Sequence, residues 1–285
     1  MVAVSCPAKV NLFLEVLGRR PDGFHELSTV MCAVSLKDTL TFRPAKRDAF
    51  AIRPTGAAPL DASNTVLKAL AALRRRVKVP AVRIELVKRI PVGAGLGGGS
   101  SDAAGLVRAA NRLFDLGLSV EAQRAVLGEV GSDTAFFATG GLAHCTGRGE
   151  VVRPLPDLER PLEFVLVCPP VENPTREIYA RLKLNLTTRR KDVTRFLNLL
   201  ATGDPARIGK SLFNRLETPA FEFRPELRGI RRALGALPFA GVLMTGSGSA
   251  LFGLCPSESR GGEREVRRQG WGRTLRVRSV PSAVS

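Results

Sequence analysis

The stretch from Pro91 to Ala104 reads Pro-Val-Gly-Ala-Gly-Leu-Gly-Gly-Gly-Ser-Ser-Asp-Ala-Ala, and no other stretch limits so sharply what this chain can fold into. Glycine stands at Gly93, Gly95, Gly97, Gly98 and Gly99, with Pro91, Val92, Ala94 and Leu96 interleaved. Positions without a side chain suit a backbone that approaches a ligand closely or adopts φ > 0. Just upstream, Val82, Ile84 and Leu86 alternate as a strand. Downstream, Ala103, Leu106, Val107, Ala110, Leu113 and Phe114 recur at helical spacing, and Ser100, Ser101 and Asp102 are residue types that cap helices. Gly/Ser runs are often linkers, but a linker does not sit inside a strand-loop-helix unit. The pattern predicts a glycine loop entering a helix N-terminus, whose unpaired N–H groups and positive dipole end bind phosphate.

Three phosphate motifs can be separated. No Lys follows these glycines, so a Walker A loop is excluded. Gly93, Gly95 and Gly98 satisfy G-x-G-x-x-G, but the preceding strand carries Arg83, Glu85, Lys88 and Arg89, whereas a dinucleotide fold wants a continuously apolar one. H-R-D and D-F-G, the marks of protein kinases, are missing.

In chain order, Val10, Leu12, Leu14 and Val16 read as one face of a strand, with Lys9 and Asn11 together on the other. On alternation alone that second face is simply exposed. Pro21-Asp22-Gly23 is turn chemistry, followed by Phe24 and His25; a lone histidine there reads as surface. Residues 30–44 read as further strand, with Leu36, Leu40 and Phe42 as core candidates. Asn64 or Ser63 caps a helix reaching about Arg76, and Ser119 caps another through about Leu127. Asp133, in Gly131-Ser132-Asp133-Thr134-Ala135-Phe136-Phe137, reads as a cap for the short apolar helix behind it. Residues 140–150, with His144 and Thr146-Gly147-Arg148-Gly149-Glu150, form a hairpin. Two prolines in 153–158 mark the domain border. Beyond it come a buried strand at Phe164–Cys168, a loop and helix carrying Tyr179, and helix from Asn214 through Leu237. A strand–glycine turn–strand unit follows over 241–254, then a closing strand around Leu275 and Val277 and a fraying C-terminus.

At 285 residues the chain holds one large domain or two ordinary ones. It has no apolar run of 18 or more and no signal-peptide pattern near residue 1, which predicts a cytoplasmic protein with no membrane partner. Cys6, Cys32, Cys145, Cys168 and Cys255 are scattered singly, so they read as reduced structural thiols, and the sequence offers no metal-ligand set. A formal charge of +17 suits a nucleic-acid binder, but the arginines are dispersed and stacking aromatics few, which argues against one. Such a field also draws in an anionic small substrate.

P-x-G-x-G-L-G-G-G-S-S resembles the phosphate-binding motif of the GHMP kinase superfamily, in the form carried by its 4-diphosphocytidyl-2-C-methyl-D-erythritol kinase branch. Two more stretches agree in order: Pro7-Ala8-Lys9-Val10-Asn11-Leu12 with the first family motif, and Thr245-Gly246-Ser247-Gly248-Ser249 with the third. The resemblance runs from about residue 5 to the final strand. It implies an α+β fold in two domains, a ribosomal-S5-like N-terminal one (1–152) and a ferredoxin-like C-terminal one (153–285), with the site between. It implies ATP and Mg²⁺, and γ-phosphoryl transfer to the 2-hydroxyl of 4-diphosphocytidyl-2-C-methyl-D-erythritol, by a monomer or homodimer. By the same resemblance Asp133 is the catalytic base with Lys9 beside it, and Asn11 lines the site. Residues 91–101 bind the triphosphate, with a Ser100 or Ser101 hydroxyl assisting, and Asn64 and Lys88 contact adenine. Phe24 and Tyr179 sandwich cytosine while His25 hydrogen-bonds it. Phe24 stands where many members have Tyr, and Thr134 and Ala135 also depart from the family pattern. The alternatives are another GHMP kinase, of mevalonate, homoserine or galactose type, or a basic RNA-binding protein.

Overall fold

The computed structural model describes residues 1–54, 58–184, 191–256 and 262–282. Its spine is a pair of long antiparallel strands, β1 (Val2–Arg19) and β2 (His25–Pro44), joined by the predicted turn at 21–23 and paired from Val2 opposite Phe42 to Arg19 opposite His25. Then come β3 (Ala49–Arg53), α1 (Thr65–Arg74), β4 (Val82–Val87), α2 (Gly98–Phe114), α3 (Val120–Gly128), β5 (Leu142–Gly147) and β6 (Val151–Pro154). The sheet runs β3-β4-β2-β1, and β2 serves two neighbours on its other edge: residues 39–44 pair with β4, residues 27–32 with β5. The glycine loop leaves β4 and the β5–β6 hairpin follows the Asp133 turn, so one strand brings both close to β1. Leu40, Phe42, Ile84 and Leu86 face Leu106 and Val107 of α2 in one core.

The second half contributes β7 (Glu163–Cys168), α4 (Thr175–Ala180), α5 (Val193–Leu200), α6 (Pro205–Gly209), β8 (Phe213–Asn214), α7 (Glu217–Phe223), α8 (Pro225–Gly235), β9 (Gly241–Met244), β10 (Leu251–Leu254), α9 (Glu263–Gln269) and β11 (Arg273–Arg278). Its antiparallel sheet has the order β11-β7-β10-β9, the ferredoxin-like arrangement. Strand alternation gives this sheet two working faces. Val165, Val167 and Leu251 pack under Leu227, Leu234 and Val266, whereas Phe164, Leu166 and Phe252 pack against Val10 and Leu12 of β1. That second face seals the two halves together.

Several sequence expectations shift here for local reasons. A bulge between Asn11 and Phe13 breaks the strand alternation, so Val10, Leu12 and Phe13 share one core while Leu14 and Val16 enter another. Helix α2 starts at Gly98, with Gly97 in the left-handed conformation as its cap and no side-chain cap bond, so Ser100, Ser101 and Asp102 lie inside the helix rather than capping it. Asn214 belongs to β8, a two-residue strand parallel to β1, and helix begins only at Glu217. Leu36 is half-buried, unlike Leu40 and Phe42. The border at 152/153 falls inside β6, which stays in the first sheet, and bridges from Ser279 to Val34 and Ser282 to Gly140 bring the chain end back to that sheet. The last residues, 283–285, lie outside the described residues. All five cysteines are free and buried, and burial pushes the Cys168 and Cys255 thiols up to about 11, which keeps them protonated.

Candidate active site

The glycine loop is locked between β1 and the turn after β9. Lys9 N donates to Leu96 O (3.0 Å) and Ala250 N to Ala94 O (3.1 Å). Gly93, Gly95 and Gly97 take φ of +70°, +75° and +71°, which only glycine adopts without strain. Gly95 has the least room: a β-carbon there would stand 2.3 Å from Thr245 O. At Gly97 it would stand 2.9 Å from the Phe137 ring, so the loop rests on the short apolar helix expected behind Asp133. The first helical bond of α2 is Ser101 N to Gly97 O (2.9 Å), leaving the amides of Gly98, Gly99 and Ser100 without helical acceptors and beside a cleft of about 1280 Å³. A cradle of this kind fits a phosphate chain. Ser100 lines the cleft, but Ser101 is buried with its hydroxyl unpartnered, so of the two serines only Ser100 reaches a ligand there.

Lys9 and Asn11 are aimed into this cleft, not at solvent. The Lys9 ammonium, on a residue 2% exposed, donates to Asn11 Oδ1 (2.6 Å) and Gly95 O (2.8 Å) and lies 3.5 Å from Asp133 Oδ2. Asn11 is itself fixed: Nδ2 donates to Thr29 Oγ1 (2.9 Å), and its backbone N–H to Thr245 Oγ1 (3.0 Å). The short helix at Ala135–Ala138 has no side-chain cap, so the capping reading of Asp133 is set aside; its carboxylate, 34% exposed, faces Lys9 and the cleft. Thr134 turns inward instead, its hydroxyl bonded to Leu127 O.

Phe24, His25 and Tyr179 line the other end of the same cleft. Their arrangement differs from a simple sandwich. His25 is the ring beside Tyr179, with centroids 5.0 Å apart and a 33° tilt, and Phe24 carries the Arg148 guanidinium 4.8 Å over its ring. Two rings at 5.0 Å leave no gap for a third, so a base stacked on Tyr179 within reach of His25 requires the two rings to part. Burial and the nearby Arg19 charge lower the His25 pKa, which keeps the imidazole neutral near pH 7. Burial raises that of the Tyr179 hydroxyl.

A smaller cavity of about 210 Å³ adjoins the loop on its far side, lined by Asn64 and Lys88. Asn64 works as the cap of α1, accepting from Val66 N (2.9 Å) and donating to Pro59 O (2.7 Å). The Lys88 ammonium is held between Asp38 Oδ2 (2.5 Å) and Asp102 Oδ2 (2.7 Å), all three side chains buried, so two of its three N–H donors are taken by carboxylates. Asp38 also accepts from the backbone of Arg89 and Ile90, whereas Asp102 Oδ1 has no partner. The proton of this crowded triad therefore favours Asp102, whose pKa burial pushes up to about 7 against the pull of Lys88.

The model of the GHMP kinases N terminal domain matches residues 64–141 and that of the GHMP kinases C terminal domain matches 196–269. The chain belongs to the GHMP kinase family. A 4-diphosphocytidyl-2-C-methyl-D-erythritol kinase of Carboxydothermus hydrogenoformans is 41% identical over 88% of this chain and 87% of its own. The chloroplastic enzyme of that name from Oryza sativa is 38% identical over 87% of this chain and 63% of its own. A solved 4-(cytidine 5'-diphospho)-2C-methyl-D-erythritol kinase, 35% identical, covers 98% of this chain and all of its own with a TM-score of 0.76. A homoserine kinase from Cytophaga hutchinsonii, at 21% identity and a TM-score of 0.72, shares the fold.

Within this GHMP kinase, sequence reasoning passed over the groups that hold the site in shape. Thr245 bonds both Asn11 and Gly95 O, and Asn214 Nδ2 donates to Met244 O (2.7 Å) and Gly246 O (2.8 Å), fixing the third glycine motif. Asp38 was legible as a lone acid inside an apolar strand. Asn214 carried no such signal, because its role depends on β8 reaching β1. No helix among the described residues is long and apolar enough to cross a membrane.

Proposed function

We propose that this chain transfers the γ-phosphoryl of ATP to the 2-hydroxyl of 4-diphosphocytidyl-2-C-methyl-D-erythritol. The observation that carries the reading is a single cleft holding a Lys9–Asp133 pair beside the phosphate cradle and the Phe24, His25 and Tyr179 rings at its other end. Relatives at 35–41% identity bear that enzyme's name. ATP supplies an electrophilic γ-phosphorus, and Mg²⁺ the neutralisation of phosphate charge. Ser100 and Asp133 line the same cleft, and their oxygens are the donors that would face a Mg²⁺ carried on the phosphates.

The chain's own residues then divide the work. Amides at the start of α2 bind the triphosphate, and Asn64 and Lys88 shape the wall of the smaller cavity, which takes the adenosine. Asp133 accepts the proton as the acceptor O–H breaks, the O–P bond forms and ADP leaves. Lys9, held by Asn11 and Gly95 O, orients the acceptor and steadies the negative charge on its oxygen. Asn11 keeps that ammonium on target. Phe24 and Tyr179 supply stacking, and neutral His25 both donates and accepts toward the cytosine edge. ADP release measured with the cytidylyl alcohol, mevalonate and homoserine tests the reading. Turnover with the first alone is expected; comparable turnover with either of the others contradicts it.

A further inference from the structure

The turn between β5 and β6 is built to hold one arginine. Gly147 and Gly149, with φ of +70° and +115°, flank Arg148. The Glu150 carboxylate folds back under the turn, accepting from Arg148 N at 2.5 Å and lying 3.4 Å from its Nε. A β-carbon at Gly147 would stand 2.7 Å from Glu150 Oε2, so glycine is what admits the carboxylate. From the other side Glu26 accepts from Gly147 N (3.1 Å) while pairing with Arg20 (2.5 Å), which ties the turn to the loop bearing Phe24 and His25. Arg148 is thereby laid 4.8 Å over the Phe24 ring and faces the cleft. Its neighbour Gly149 leans on the opposite end of the cleft: a β-carbon there would lie 3.5 Å from Ser132 O and 3.6 Å from Asp133 Oδ1.

One short turn thus touches both the ring cluster and the Asp133 loop, and an acceptor reaching from a stacked base to a hydroxyl at Asp133 must pass along it. We infer that Arg148 binds the diphosphate of the acceptor, its two terminal nitrogens donating to phosphate oxygens while the face of the guanidinium stays on Phe24. Arginine can do both at once, because its donors lie in the plane and its stacking surface perpendicular to it. Nε is already directed at Glu150, which fixes the roll of the group. Asp22 and Glu172 line the same cleft and would repel a diphosphate; of the three arginines there, Arg19, Arg148 and Arg176, Arg148 is the one laid over Phe24 with its Nε on a carboxylate.

The inference rests on the substrate reading above, and its test separates the two. Cytidine and CDP are titrated into the full chain with the ATP site filled by a non-hydrolysable ATP analogue, for wild type, Arg148→Gln and Arg148→Lys. Wild type is expected to bind CDP more tightly than cytidine, and Arg148→Gln to shrink that ratio by about 10- to 100-fold, the scale of charge-assisted hydrogen bonds. Arg148→Lys, which keeps charge but not the fork, should recover part of it. The ratio does not depend on the folded fraction. An unchanged CDP-to-cytidine ratio in Arg148→Gln overturns the inference and leaves Arg148 as a prop for Phe24; a wild type that binds neither ligand overturns the substrate reading itself, and the inference with it.

Discussion

The two ends of the cleft are made differently. At the transfer end Lys9, Asn11, Thr245 and Gly95 are buried or nearly so, and each is bonded to others that lie far away in sequence. At the base end Phe24 is 50% exposed on a turn, and Tyr179 sits on α4, a helix of six residues. Phosphoryl transfer needs reacting groups held to a fraction of an ångström, which regular elements and closed hydrogen-bond networks supply. Admitting a base needs rings that can part. Rigidity and access are therefore assigned to opposite ends of one cavity.

The largest way to break this contrast is at Lys9. Lys9→Ala removes the cation facing Asp133 and unpairs Asn11 Oδ1, and kcat is expected to fall about 10²- to 10⁴-fold in steady-state assays, with acceptor KM little changed. Gly95→Ala comes next, since a β-carbon 2.3 Å from Thr245 O at φ +75° forces the cradle off the turn that supports it. Overpacking costs about 1–3 kcal/mol and the left-handed backbone about 1–2 kcal/mol more, so both Tm and ATP affinity should drop; an unaltered ATP KM in a folded Gly95→Ala variant argues against the loop as the phosphate site.

Changes at the base end should be smaller and of another kind. Tyr179→Ala is expected to weaken cytidylyl and uridylyl acceptors alike, by roughly 1–3 kcal/mol of lost stacking, with kcat retained. His25→Ala should instead narrow the preference for cytosine. The smallest effect lies beneath the loop. A carboxyl whose folded pKa is raised to about 7 binds its proton more tightly folded than unfolded, so Asp102 makes stability decline as pH rises from about 4 to about 7. Thermal melts across that window should slope downward in wild type and less so in Asp102→Asn; parallel slopes refute the assignment.

The chain's own patterning made some of this legible. Alternation and helical spacing located β1, β4 and α2, and the glycine run between them marked the phosphate cradle. Lys9, Asn11 and Asp133 were different: alternation and capping alone read them as surface and cap, and only their motif context pointed inward. What periodicity could not foresee depends on long-range register. The bulge at Leu12 redirects Leu14 into another core, and β8 hides within an expected helix because its partner is β1, some two hundred residues earlier. The ion pairs of Lys88 depend on the fold in the same way, for its two carboxylates come from β2 and α2. Arg148 gave no signal until the β5–β6 turn was seen against Phe24.

The division of labour within the cleft is tested most directly at Asp133. Single-turnover phosphoryl transfer by Asp133→Asn, with ATP and the cytidylyl alcohol both saturating, is expected to be slower than wild type by about 100-fold or more, while the acceptor Kd stays within about twofold because the base end is untouched. A folded Asp133→Asn protein that transfers phosphate at near wild-type rate would contradict the assignment of the chemistry to the Lys9–Asp133 end.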